Sequence, residues 1–218
     1  METIVLRISD PMSSKKDERF LLGLQFSRLY NALNAALRSY VALKTDSPAD
    51  KRDRIERVLS HGAIVAECLS TLEKHHTDLE GLPCWSSTEP RIVFVQSQLR
   101  EPSSFYRTVL KTIRDKIMYH YDLSVIQDVI QDYPLHDGIR FGEAESTSGI
   151  DLCFPLVDEM IIHYLIKRYG PDKPEMEVYE SIMDGLIDCF NGLLWTLKEI
   201  ITDLIASQME WRSPSVGR

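Results

Sequence analysis

The chain has 218 residues, of which 44% are hydrophobic and 27% are charged, and its formal net charge is −8. This length and composition suit one folded domain with its own core, and they exclude a disordered tail and a small disulfide-stabilised protein. An acidic chain repels nucleic acids as a whole, so any contact with RNA or DNA must be local.

The four cysteines lie far apart and form no CxxC pair, which argues against a zinc ribbon, a redox motif and a secreted disulfide framework. The N-terminal residues lack a basic start followed by an apolar core, so we expect no signal peptide. The longest apolar stretch, residues 186–205, contains Asp188, Lys198, Glu199 and Asp203, which predicts a helix of a soluble protein. These features favour the reducing cytoplasm.

Apolar residues recur every three to five positions in five stretches of the chain, which predicts five long amphipathic helices. In chain order these helices cover residues 16–43, 48–76, 103–133, 151–169 and 175–207. Proline and glycine mark their ends, as at Ser47-Pro48 and Gly170-Pro171. The last helix has the clearest apolar stripe, formed by Val178, Ile182, Leu186, Leu193, Leu197, Ile201 and Leu204.

The segments between the helices are predicted from their turn-forming residues. Residues 1–10 are predicted to form a short strand or arm, and residues 79–102, with the strand-like run Ile92 to Val95, a long connecting loop. We predict a short hairpin around residues 139–141 and a flexible tail at residues 208–218. The whole chain, residues 1–218, is therefore predicted to be a single all-α domain, a five-helix bundle with one or two short β pieces.

Positive charge is concentrated near the middle of the chain. Between Arg91 and His120 there are six basic and two acidic residues, a local charge of +4 that leaves −12 for the remainder. A local cationic zone on an acidic body suits a site for one or two phosphates rather than a long nucleic-acid groove. We predict Arg107, Lys111 and Lys116 as phosphate-binding residues.

The segment LKTIRDKIMYHYD, residues 110–122, contains most of the candidate site residues. At 100° per residue, Arg114 lies on one face of a helix, whereas Ile113, Ile117 and His120 form a neighbouring and mostly apolar stripe. Arg114 and His120 are then separated by about 120° around the helix axis. They converge on one phosphate if the helix bends near His120, or if a second copy of the chain packs here about a two-fold axis.

An arginine and a histidine together suit cleavage of RNA without a metal. Histidine, with an unperturbed pKa of about 6.5, can take the proton of a 2′-hydroxyl or give one to the leaving 5′-oxygen. Arginine stays charged and can stabilise the additional negative charge of the transition state. Tyr119 and Tyr121 can stack on a base or hydrogen-bond to the RNA backbone.

Arg114 and Asp115, followed after four further residues by His120, resemble the signature of the HEPN superfamily: an arginine, a polar residue and, a few positions later, a histidine. The resemblance implies an all-helical bundle that forms homodimers through the motif helices and cleaves RNA without metal or cofactor. It also implies that Arg114 and His120 are catalytic and that Asp115 orients them. Many HEPN toxins have a tyrosine two positions after the histidine, where this chain has Asp122.

Other interpretations stay open. Some HEPN proteins lack cleavage activity, so the chain is alternatively a non-catalytic module that binds RNA, a nucleotide or a protein such as a nucleotidyltransferase antitoxin. In a third interpretation, Arg114 only forms a structural ion pair with a carboxylate on a neighbouring helix.

A di-iron site in a bundle needs two Glu-x-x-His pairs. Glu73 and His76 have that spacing but Glu159 and His163 do not, so we expect no metal.

Overall fold

The architecture is all-helical. The computed structural model describes residues 7–8, 17–41, 48–118, 127, 142–143, 152–153, 163–205 and 209–210. Its α-helices are α1 (Glu18–Val41), α2 (Pro48–Lys74), α3 (His76–Leu79), α4 (Pro90–Arg100), α5 (residues 163–169) and α6 (Glu175–Ile205).

Three kinds of shorter element complete the described chain. A 3₁₀ turn covers Cys84–Ser86. Two π-helical runs, Tyr106–Leu110 and Ile113–Met118, are joined by residues 111–112, and together we call them the π segment. Two antiparallel pairs are formed by the two-residue strands β1 (Arg7–Ile8) with β4 (Met209–Glu210) and β2 (Gly142–Glu143) with β3 (Leu152–Cys153).

Helix α6 lies at the centre of the bundle. Six residues of its predicted apolar stripe are buried and Ile201 is partly buried. Helices α1, α2 and α4 and the 3₁₀ turn all pack against α6. The predicted stripe is therefore confirmed, because the helical repeat brings these side chains to the surface on which the neighbouring helices lie. Within the described residues, no helix combines the length and the apolar character needed to cross a membrane.

Three predicted helices correspond closely to observed ones. Helices α1, α2 and α6 begin and end within two residues of the predicted bounds 16–43, 48–76 and 175–207. Differences of this size are usual at helix ends. The clear apolar periodicity of these stretches therefore sufficed to locate them.

The other two predicted helices agree only in part. The helix predicted over residues 103–133 is helical at residues 105–118 and 127 but not at residues 103–104, and residues 119–126 and 128–133 lie outside the described residues. The helix predicted over residues 151–169 ends at residue 169, but its start is wrong because Leu152–Cys153 form β3. Pairing with β2 fixes these two residues in an extended conformation.

The structure describes only a few residues of the remaining predicted segments. The hairpin predicted around residues 139–141 lies outside the described residues, next to strand β2. Two residues of the predicted N-terminal arm, Arg7–Ile8, pair with Met209–Glu210 of the predicted flexible tail. That pairing joins the two ends of the described chain.

The prediction of a connecting loop over residues 79–102 is wrong for residues 90–100, which form α4. Pro90 stands in the first turn of α4, where its missing N–H breaks no helical hydrogen bond. Ile92 and Val95 are buried whereas Val93 is 47% exposed. Packing against α6 thus overrides the strand preference of this β-branched run. With α3 and α4, the described residues contain more helices than the five predicted.

Two leucines of α1 provide a matched test of the core. Leu33 is fully buried and Leu24 is 47% exposed. We expect Leu33→Ala to lower the free energy of unfolding by about 2–5 kcal/mol, because it leaves a cavity in the core. We expect Leu24→Ala to change it by less than about 0.5 kcal/mol. Urea denaturation followed by circular dichroism measures both values, and equal losses would contradict the observed orientation of α1.

Candidate functional site

Helix α2 and the π segment build the candidate site. Buried apolar residues line both elements, with Leu69 on α2 and Leu110 and Ile113 on the π segment. The two elements approach closely at Gly62, where an added Cβ atom would lie 3.3 Å from Cδ1 of Ile113. Because this apolar contact fixes the two elements side by side, the polar side chains along its edge are brought together.

Glu73 of α2 contacts three polar side chains of the π segment. The Tyr106 hydroxyl donates a hydrogen bond to Oε2 of Glu73 at 2.9 Å. Nη2 of Arg107 lies 2.6 Å from Oε1, and Nζ of Lys111 lies 3.8 Å from Oε2. Nη2 of Arg107 also donates to the backbone carbonyl of Leu99 at 2.6 Å. The Glu73 carboxylate therefore forms ion pairs with both Arg107 and Lys111, two of the predicted phosphate-binding residues.

The protonation states of this cluster follow from burial and charge. Burial raises the pKa of Tyr106 to about 12, and its hydrogen bond to Glu73 acts in the same direction. Burial alone would also raise the pKa of Glu73. The hydrogen bond from Tyr106 and the charges of Lys111 and Arg107 outweigh it, so the pKa of Glu73 lies below its ordinary value. At neutral pH, Tyr106 is thus a donor and Glu73 a carboxylate.

Arg114 has a separate pair of carboxylate partners. Its Nε atom lies 3.1 Å from Oε2 of Glu67 on α2, and its Nη1 atom lies 3.5 Å from Oδ1 of Asp115. The side chain of Arg114 is 25% exposed, whereas those of Glu67 and Asp115 are 46% and 47% exposed. The two carboxylates therefore orient the guanidinium while part of it faces solvent.

The π-helical backbone changes the geometry assumed for this segment. A π-helix bonds residues five apart and therefore turns its side chains less per residue than an α-helix. The hydroxyls of Thr108 and Thr112 donate to carbonyls four residues earlier, at 2.9 and 3.3 Å, which competes with regular α-helical bonding. Ile113 and Ile117 are nevertheless buried, as predicted. Short π-helical stretches occur frequently at functional sites.

The predicted site residues are distributed over two clusters. Arg107 and Lys111 meet at Glu73, whereas Arg114 and Asp115 contact each other. Lys116 follows on the same segment and is half-buried. The predicted residues that lie outside the described residues are Tyr119, His120 and Tyr121.

The sequence analysis left open an ion pair between Arg114 and a carboxylate on a neighbouring helix, which Glu67 forms, but it did not assign Glu67 or Glu73 to this site. Glu73 is 33 residues away from Tyr106 in sequence, so a count of charge within one stretch could not include it. A signal was present, because Glu67, Ser70 and Glu73 recur every three residues and therefore share one face of α2. Their two negative charges offset half of the net charge of +4 predicted for this zone.

Glu73 and His76, considered for a metal site, have other partners in the structure. Glu73 contacts the π segment, whereas Nδ1 of His76 lies 3.3 Å from Oε1 of Glu80 and its ring packs edge-on against Trp85. Within the described ranges, no three His, Cys, Asp or Glu side chains are grouped in a way that could hold a metal ion.

Comparison with known proteins gives no further guide to the site, since no family model, no curated protein and no solved structure matches this chain.

Removing the Tyr106 hydroxyl tests the buried part of the site. We expect Tyr106→Phe to lower the free energy of unfolding by about 1–3 kcal/mol, because it removes a partly buried hydrogen bond to a charged group. Tyr30→Phe, at a half-buried position on α1, is the matched control and should change it by less than about 0.5 kcal/mol. Urea denaturation measures both, and a Tyr106→Phe variant as stable as the control would contradict this bond.

The lowered pKa of Glu73 predicts a pH dependence of stability. The folded-state pKa lies below the ordinary value of 4.5, so folding favours the carboxylate. We expect the excess stability of the wild type over Glu73→Gln to be complete above pH 4.5 and to disappear as the pH falls through the lowered pKa. Urea denaturation over a pH series measures this difference.

The exposed residue Glu180 on α6 offers a matched control for this series. Glu180→Gln should stay within about 0.5 kcal/mol of the wild type across the range. A Glu73→Gln difference that grows towards acidic pH would show the opposite sign and would contradict the lowered pKa.

Proposed function

We propose that this chain is a HEPN-like RNA-processing protein, a metal-independent endoribonuclease whose Arg114 and His120 act at the interface of a homodimer. The observation that carries this proposal is the fixed orientation of Arg114. Glu67 and Asp115 hold its guanidinium at 3.1 and 3.5 Å while 25% of the side chain is exposed. A charged donor that is oriented before substrate binds needs little reorganisation when negative charge develops in the transition state.

The proposed reaction is an internal transesterification of RNA. His120 takes the proton of a 2′-hydroxyl, and the 2′-oxygen attacks the adjacent phosphorus. The bond from phosphorus to the 5′-oxygen breaks, and the histidinium of the second copy donates a proton to that oxygen. Arg114 stabilises the additional negative charge on the phosphoryl oxygens. The products are a 2′,3′-cyclic phosphate and a free 5′-hydroxyl.

The ion pairs of Arg114 are compatible with binding a phosphate. Both carboxylate partners are nearly half exposed, and exposed ion pairs contribute only about 0–1 kcal/mol. A phosphodiester can therefore replace one partner at a small energetic cost. Asp115, at the position where the HEPN resemblance expects a polar residue, then retains its orienting role.

A second candidate function is supported by the compensation of charge along α2. Arg107, Lys111 and Arg114 all form ion pairs with Glu67 or Glu73, which weakens their attraction for a polyanion. This favours a non-catalytic module that binds RNA, a nucleotide or a protein, for example a nucleotidyltransferase antitoxin. It predicts saturable binding without turnover.

A cytoplasmic location is part of the same proposal. Cys68, Cys84 and Cys189 are free thiols, which agrees with a reducing compartment. The RNA substrate is expected in that compartment as well.

Incubation of the purified chain with mixed RNA tests the proposed activity. We expect cleavage that EDTA does not inhibit and products that end in a 2′,3′-cyclic phosphate. Arg114→Ala and His120→Ala should each reduce the rate by at least about a hundredfold, the effect expected for lost acid–base or electrostatic catalysis. Mass spectrometry of the products and gel analysis of the rates measure these outcomes.

Arg28, an exposed arginine on α1, provides the matched control. Arg28→Ala should cleave at the wild-type rate, which separates the role of Arg114 from a general loss of positive charge. Unchanged cleavage in both Arg114→Ala and His120→Ala would reject the catalytic assignment. RNA binding without cleavage by the wild type would favour the non-catalytic module.

A further inference from the structure

A second cationic site lies where α1, α4 and α6 meet, on none of the elements that carry Arg114. It is an open cavity of about 530 Å³, within the usual size range of ligand sites. The lining residues come from α1 (Tyr30), α4 (Arg91) and α6 (Asn191, Leu194, Trp195 and Lys198). No carboxylate is among these lining residues, whereas the cavity beside His75 is lined by both Glu18 and Asp78.

Both cations of this cavity lie near the indole ring of Trp195. The guanidinium carbon of Arg91 lies 4.5 Å from the ring centroid, and Nζ of Lys198 lies 5.0 Å from it. The close approach of α4 to α6 contributes to this arrangement, because Gly192 lacks a Cβ atom, which would lie 2.9 Å from Cδ1 of Phe94. Two cations and one large aromatic surface are thus held together by the packing of the helices.

The two cations form only long, exposed ion pairs, which a bound anion can replace. Nη1 of Arg91 is 3.8 Å from Oε1 of Glu89, and Nζ of Lys198 is 3.6 Å from Oε1 of Glu199. Both distances exceed those of good hydrogen bonds. The side chains are 51% and 59% exposed, so they can turn towards an anion without breaking the core.

We propose that this cavity binds a nucleotide: Arg91 and Lys198 turn away from the indole to hold the phosphate between them, and the base takes their place against Trp195. Aromatic rings stack on bases of any type, and an arginine fork and a lysine suit a phosphate. The amide of Asn191 can donate to and accept from a base edge. The nucleotide is either free or one unit of an RNA strand. This site is independent of the activity proposed for Arg114 and His120.

Isothermal titration calorimetry of the full chain tests the site with four probes. These are adenosine 5′-monophosphate, adenosine, inorganic phosphate and a 2′-O-methyl oligoadenylate, which lacks the 2′-hydroxyl nucleophile. We expect the monophosphate or the oligonucleotide to bind more tightly than adenosine or phosphate, because the cavity contacts both parts of a nucleotide. Binding should weaken as salt rises from about 50 to 200 mM.

Variants locate the binding in the cavity. Arg91→Ala and Lys198→Ala should each weaken binding by roughly tenfold, the factor expected from the loss of one charge-assisted hydrogen bond. Arg100→Ala is the matched control, since Arg100 is an exposed arginine on the same helix as Arg91 and does not line the cavity. Its affinity should equal that of the wild type.

The probes distinguish the two sources of the nucleotide. Binding of the monophosphate identifies a free nucleotide as a sufficient ligand, whereas binding of the oligonucleotide alone identifies a unit within RNA. No binding of either probe, equal binding of inorganic phosphate, or full affinity in an Arg91→Ala/Lys198→Ala variant would overturn the proposal. Neither the monophosphate nor the 2′-O-methyl oligonucleotide can be cleaved by attack of a 2′-hydroxyl, so binding at this site is tested separately from the proposed cleavage.

Discussion

Burial of one face of α6 is the interaction on which the positions of the other helices depend. Its apolar stripe is covered by α1, α2 and α4, and hydrophobic burial is the dominant favourable term in folding. Helix α2 then carries the π segment on its own buried side chains, including Leu69. The position of the candidate site therefore depends on apolar packing of the π segment against α2 and of α2 against α6. The polar side chains of the site lie at the edge of the apolar contact between α2 and the π segment.

Charge compensation differs between the two parts of the candidate site. At Glu73, the donor Tyr106 is fully buried and the carboxylate is 33% exposed, so loss of this partly buried hydrogen bond leaves the Tyr106 side unsatisfied. At Arg114, both carboxylate partners are nearly half exposed, so that contact is weak and can be exchanged. The first cluster accordingly suits a structural role in holding the π segment, and the second is better suited to contact a substrate.

The cations of the chain are held in two different ways. Arg107, Lys111 and Arg114 pair with carboxylates of α2. Arg91 and Lys198 lie against the indole of Trp195. An aromatic ring attracts a cation through its quadrupole without cancelling its charge. The cavity has two cations and no carboxylate among its lining residues, and the nearest carboxylates, Glu89 and Glu199, lie 3.8 and 3.6 Å from these cations. A short anionic ligand fits such a region better than a long polyanion.

The amino-acid sequence by itself determined the all-helical class, the bounds of α1, α2 and α6, and the buried stripe of α6, because these depend on local periodicity. It also located Arg114 and Asp115 next to each other. Only the tertiary structure decided that residues 90–100 form a helix, since packing against α6 overrides the strand preference of their β-branched side chains. It also decided which carboxylates meet the cations of the π segment, because Glu67 and Glu73 reach them through helix packing between residues distant in sequence.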